Sequence, residues 1–166
     1  MNKGFTLIET VIVMVIVIII SAVVITRWNF DPIKLNSTVR KVAEDIRYAQ
    51  KLAITTQTRA GIVFTANGYS VYRNVTPPQI PANLATSPGD PCSTDPANAF
   101  VVDFTNPRCS NYSGVTVSAI TIAFNSLGTP VNPGTGAVLN VDQTVTVTYK
   151  GSKPIIITQG TGRVSY

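Results

Sequence analysis

The sequence predicts an α+β protein in which a long N-terminal hydrophobic helix continues into an amphipathic helix packed on an antiparallel β-sheet head. Three observations predict it. An aliphatic run with Glu9 as its single charge fills the segment from Phe5 to Thr26. Apolar residues then recur at helical spacing from Val39 to Ala53. After Thr56 the pattern changes to short β-branched runs separated by Gly, Pro and Asn.

The leading helix comes first. Met1-Asn2-Lys3-Gly4 is short and basic, and the run from Val11 to Ile20 is aliphatic apart from Met14. As a helix, Phe5 to Arg27 would reach about 34 Å, enough to cross a bilayer core of about 30 Å. No polar face interrupts it, and in lipid only a helix satisfies its backbone within one segment. A secretory signal peptide has a shorter apolar region ending in a small-residue cleavage site, and no A-x-A pattern follows here. A plain single-pass anchor fits better, but it does not explain Glu9. A comparable charge at the bilayer centre costs about 2.5–3.5 kcal/mol, less near the edge, so an intramembrane carboxylate asks for a partner.

These residues carry a family resemblance. Gly4-Phe5-Thr6-Leu7-Ile8-Glu9 resembles the processing motif of type IV pilins and type II secretion pseudopilins. The resemblance implies a leader at residues 1–4, a transmembrane and filament-core helix at 5–27, and an extracytoplasmic head at 28–166. It implies that prepilin peptidase cuts between Gly4 and Phe5 and N-methylates Phe5. The new α-amine has a reference pKa of about 7.7–8.0, and methylation keeps its charge. The amine and the Glu9 carboxylate can neutralise each other in low dielectric, and the family implies that this pairing, made between neighbouring subunits, registers each subunit during assembly. Major pilins commonly carry a proline near the position of Thr26. This chain has none before Pro32, which fits a pseudopilin or minor pilin better.

The head begins after a polar interruption from Arg27 to Leu35. Asp31-Pro32 predicts a helix restart with Asp31 as N-cap and Pro32 at the first helical position. Val39, Val42, Ala43, Ile46, Ala49 and Ala53 mark the buried stripe, with Arg40, Glu44, Arg47 and Lys51 on the opposite side. Gly61–Phe64 and Tyr69–Tyr72 flank Asn67-Gly68 as a hairpin. Residues 77–96 read as an irregular loop, and 100–104 as a strand. Val115 to Phe124 predicts one strand or a bent pair. Asn125–Gly128 reads as a turn, 130–136 as a Gly/Pro loop, and Thr144–Tyr149 with Ile155–Thr158 as a hairpin around Lys150–Lys153. The segment Gly162–Ser165 ends the chain.

The helix Ala43–Ile54, the hairpin after it, and the segments Ile122–Gly128 and Gly160–Val164 resemble the heads of the H-type minor pseudopilins and related minor pilins. The region from Cys92 to Cys109 is the part least like them.

Composition narrows the chemistry. Of 166 residues 13% are charged, with net charge +5, so the chain is not a disordered polyelectrolyte. Histidine is absent, which removes the commonest general base and metal ligand. The two cysteines, Cys92 and Cys109, lie in one loop-rich stretch. They read either as a disulfide in an oxidising compartment, stabilising by about 3 kcal/mol, or as two separate thiols. No nucleophile elbow or P-loop is present. Asp90, Asp95, Asp103 and Asp142 are scattered, so no catalytic residue, metal or cofactor is expected. Lys150, Lys153 and Arg163 permit phosphate contacts. In DNA-binding relatives a second arginine follows two residues after the first, and here Ser165 stands in its place, so an ordinary basic surface is favoured over nucleic acid. The loop from Pro77 to Ser113 is long enough to carry recognition.

The resemblance therefore implies a minor pseudopilin or pilin subunit. Its first expected setting is a type II secretion pseudopilus that exports folded proteins. The alternative is a minor type IV pilus subunit acting in pilus assembly, adhesion or DNA uptake. Expected partners are other pilin or pseudopilin subunits, prepilin peptidase, the inner-membrane assembly platform and membrane lipid. The expected location is the bacterial inner membrane, single-pass, with the head in the periplasm. Arg27 and Lys34 lie beyond the anchor against Lys3 before it, so the orientation rests on the resemblance and the cysteine pair rather than on loop charge.

Overall fold

The computed structural model describes residues 6–26, 31–75, 83–87, 92 and 99–166. Two compact units divide the chain, residues 1–30 and 31–166. In the first, α1 (Leu7–Thr26) is one helix of 20 residues. Every large apolar side chain from Leu7 to Ile20 is exposed.

The second unit opens with α2 (Asp31–Thr56), 26 residues long. Helical geometry begins at Asp31 itself, so Pro32 falls one position later than expected. That is within the one or two residues by which helix ends are defined. All of the expected stripe, Val39, Val42, Ala43, Ile46, Ala49 and Ala53, is buried, joined by Leu35 and Thr38. The Thr38 hydroxyl donates to the Lys34 carbonyl at 2.8 Å, which satisfies the polar atom on this face.

The β structure forms two antiparallel sheets rather than one. The strands are β1 (Ala60–Thr65), β2 (Gly68–Tyr72), β3 (Val101–Asp103), β4 (Thr116–Val117), β5 (Thr121–Phe124), β6 (Pro130–Val131), β7 (Gln143–Thr148), β8 (Ser152–Ile157) and β9 (Val164–Ser165). One sheet runs β3-β2-β1-β5-β6, the other β4-β7-β8-β9. Val115 to Phe124 is thus the bent pair, its two strands placed in different sheets. A single core joins α2 to both, with Ile46, Ile62, Tyr69, Phe100, Phe104, Phe124, Ile155 and Ile157 at its centre. Burial of such side chains contributes about 1.5–3 kcal/mol each.

The β1–β2 hairpin forms where Asn67-Gly68 predicts it, with a different turn. Thr65 pairs with Gly68, so the loop is Ala66-Asn67 and Gly68 begins β2. Gly68 serves close approach instead: an added Cβ would lie 2.1 Å from the Val102 carbonyl oxygen. The expected irregular loop carries some order of its own. Leu84 bridges Tyr72 and Thr86 bridges Ala99, and Ala85 is buried. The 130–136 segment holds β6 before its loop, which Asn132 closes by accepting from the N–H groups of Gly134 and Thr135.

Candidate functional site

The first candidate site is built by the first turn of α1. Thr6 stands immediately before the helix. The Glu9 N–H donates to the Thr6 carbonyl at 3.1 Å and lies 3.3 Å from the Thr6 hydroxyl. Thr6-Leu7-Ile8-Glu9 is therefore a capping-box sequence whose threonine half is formed, which is the local reason α1 begins here. Glu9 is exposed in this turn, beside Leu7 at 83% and Ile8 at 68% exposure. Glu9 is thus the carboxylate of an otherwise apolar, exposed helix. Among the described residues no helix is long and apolar enough to cross a membrane. The described side chains of α1 stop at Ala22. The expected cleavage and methylation positions, Gly4 and Phe5, lie outside the described residues.

In the head, Cys92 and Cys109 are joined as a disulfide, with Cα atoms 5.1 Å apart and both residues buried. Cys109 is set by a 3-10 segment (Pro107–Tyr112) whose first turn is capped by Asn106, which accepts from the Arg108 N–H. Asp103 accepts from the N–H and hydroxyl of Thr105, and Asp142 accepts from the Gln159 N–H. Both carboxylates hold turns. Asp90 and Asp95 lie outside the described residues. Among the described residues no group of acidic or sulfur ligands is placed to hold a metal ion.

The basic residues do not form one patch. Lys150 belongs to the β7–β8 turn and Lys153 to the start of β8, whereas Arg163 precedes β9, which pairs with the far end of β8. The length of β8 separates them by about 16 Å. Lys150 also pairs with Asp31 at 3.0 Å, and that hydrogen bond raises its pKa above the ordinary lysine value.

Arg47 is exposed, as expected of the face opposite the stripe, and it also donates to the Val164 carbonyl at 3.0 Å and lies 5.7 Å from the Tyr166 ring centroid. Gln50, one turn along, donates to the Gly128 carbonyl at 2.8 Å. Arg47 ties α2 to the chain end, and Gln50 ties it to the turn after β5 and, at 3.4 Å, to the Thr161 carbonyl. Tyr69 and Asp45 form another tie: the buried tyrosine hydroxyl donates to the carboxylate, which also takes Lys41 Nζ at 3.1 Å. No local sequence pattern marks these pairs, because their partners are 24 to 117 residues apart.

Residues 1–25 match the prokaryotic N-terminal methylation motif. The chain carries the methylation motif of the type IV pilins. The match agrees with the resemblance over these first residues. A comparison with curated proteins found no significant match. Two crystal forms of the Pseudomonas aeruginosa type IV minor pilin FimU are similar in structure. The first has TM-score 0.47 and 15% identity, covering 82% of this chain and 90% of that one. The second has TM-score 0.44 and 16% identity, covering 79% and 90%.

Proposed function

We propose that this pilin-like protein is a minor subunit of a filament of the type IV class, held in the bacterial inner membrane by its stem before assembly. The observation that carries this reading is Glu9, one carboxylate in the capped first turn of an exposed apolar helix, directly after a methylation motif. In this reading prepilin peptidase cleaves between Gly4 and Phe5 and methylates Phe5. The stem at 5–27 packs against the stems of other subunits, and the head at 28–166 lies in the periplasm. Glu9 meets the Phe5 amine of a neighbour, and the Cys92–Cys109 bridge suits that compartment. The assembly platform supplies the motor, and no catalytic residue is assigned.

Pilus and secretion pseudopilus share this stem chemistry, so the head's neighbours separate them. In-cell photo-crosslinking from Lys51, which is exposed on α2, is the test. Arg47 is unsuitable because it holds the chain end. Capture of pilus subunits assigns the type IV pilus; capture of pseudopilins or secretion-channel components assigns the secretion system. Capture of no filament subunit refutes the assembly reading. The separation of Lys150 and Lys153 from Arg163 along β8 supports the filament reading over a nucleic-acid role.

A further inference from the structure

The end of the head where α2 begins gathers two ammonium groups near one aromatic ring, with a third lysine on the adjoining strand. Lys34 Nζ lies 4.4 Å from the Tyr149 ring centroid and donates to the Ser113 carbonyl at 2.7 Å. Lys150 Nζ lies 5.8 Å from the same centroid and pairs with Asp31. Lys153 is exposed and sits opposite Val147 in the β7–β8 register, on the same side of the hairpin as Tyr149. Asp31 is the carboxylate that pairs with a lysine of this group.

Two further observations single this end out. Lys150 has φ of 49°, a left-handed conformation that glycine adopts freely and lysine does not. The turn therefore places a charge where a neutral residue would fit the backbone better. The sequence also puts Asp31 only five residues after Thr26.

We propose that Lys34, Lys150 and Lys153 dock this end of the head on the phosphates of anionic lipid headgroups while the subunit waits in the bilayer. The proposal rests on the membrane reading given above. Lysine ammoniums are compact point charges suited to a field of phosphates, and a tyrosine beside them suits the headgroup layer. Arg163 is too far along β8 for the nucleic-acid alternative to use the same surface.

The full chain would be reconstituted in lipid nanodiscs of phosphatidylcholine alone, or with one part in three phosphatidylglycerol, and amide hydrogen exchange followed at residues 149–153. Each lysine near an anionic surface contributes about fivefold to the docked population. With Asp31 offsetting one lysine, exchange should slow by up to about 25-fold in the anionic discs. The slowing should vanish in 0.5 M NaCl and fall about fivefold for Lys153→Gln, a change at an exposed side chain. Exchange that ignores lipid charge in a properly inserted chain overturns the proposal and leaves the membrane reading intact. Slowing by a short DNA duplex but not by anionic lipid overturns it in favour of nucleic acid. Failure of the full chain to enter discs overturns both readings.

Discussion

Gly160 and Gly162 allow a controlled test of how the chain end is fastened to α2. Both have positive φ, 72° and 66°, so alanine at either position carries a backbone cost of about 1–2 kcal/mol. Their surroundings differ. An added Cβ at Gly160 meets nothing within 4 Å, whereas at Gly162 it would lie 2.3 Å from the Gly128 carbonyl oxygen and 2.4 Å from Gln50 Nε2. A backbone oxygen cannot swing aside, so the two turns must part. Parting them disrupts the Gln50 bond to Gly128 and its longer contact with Thr161, worth about 1 kcal/mol each. Gly160→Ala should therefore cost about 1–2 kcal/mol and Gly162→Ala about 2 kcal/mol more. For a head of this size the difference is roughly 7 °C in Tm. Thermal unfolding of the full chain in detergent, followed by near-ultraviolet circular dichroism, measures it. In a Gln50→Ala background the excess cost of Gly162→Ala should shrink, because part of the clash and the bonds are already gone. Equal destabilisation by the two alanines, or an excess unchanged in that background, would refute the reasoning.

Four other predictions follow from the same structure. Glu9→Ala should leave the protein membrane-inserted but sharply reduce its incorporation into sheared filaments, read by immunoblot; normal incorporation would remove Glu9 from assembly. Replacing Cys92 and Cys109 together by serine should destabilise the head by about 3 kcal/mol in the chain-entropy account of a 17-residue separation, measured by denaturant midpoint. Because Asp31 raises the Lys150 pKa, the pair's contribution is fully present below the ordinary lysine value of about 10.4 and is lost as pH rises through the higher folded value. Asp31→Asn should flatten that alkaline part of the stability profile. Arg47→Ala should speed amide exchange in β9 several-fold while leaving β1 and β2 unchanged, since its bond reaches only the chain end.

What could be read from the sequence was the local part. The α2 stripe repeats at helical spacing, and a helix buries one face whatever sheet it meets, so each named position is buried. Asn67-Gly68 marked the hairpin but not why glycine is there, because the need comes from Val102, more than thirty residues away. The sorting of strands into two sheets was hidden for the same reason: β4 and β5 are four residues apart and read as one apolar run, yet pair with different partners. The methylation motif was legible because its residues are contiguous at the start of the chain. The lysine cluster was not, because Lys34 meets Tyr149 only through the fold, and a basic composition placed Lys150, Lys153 and Arg163 together when β8 holds them apart.

The order in which the chain visits the sheets limits how the head can come apart. β1 to β3 enter the first sheet, β4 the second, β5 and β6 return to the first, and β7 to β9 finish the second. Neither sheet is completed by consecutive sequence, so no hairpin can peel away as a finished piece without stranding a partner elsewhere. Folding such a head means closing many distant pairings together, which is slow but all-or-none. A pull on either end of this unit therefore meets one interwoven body rather than a seam.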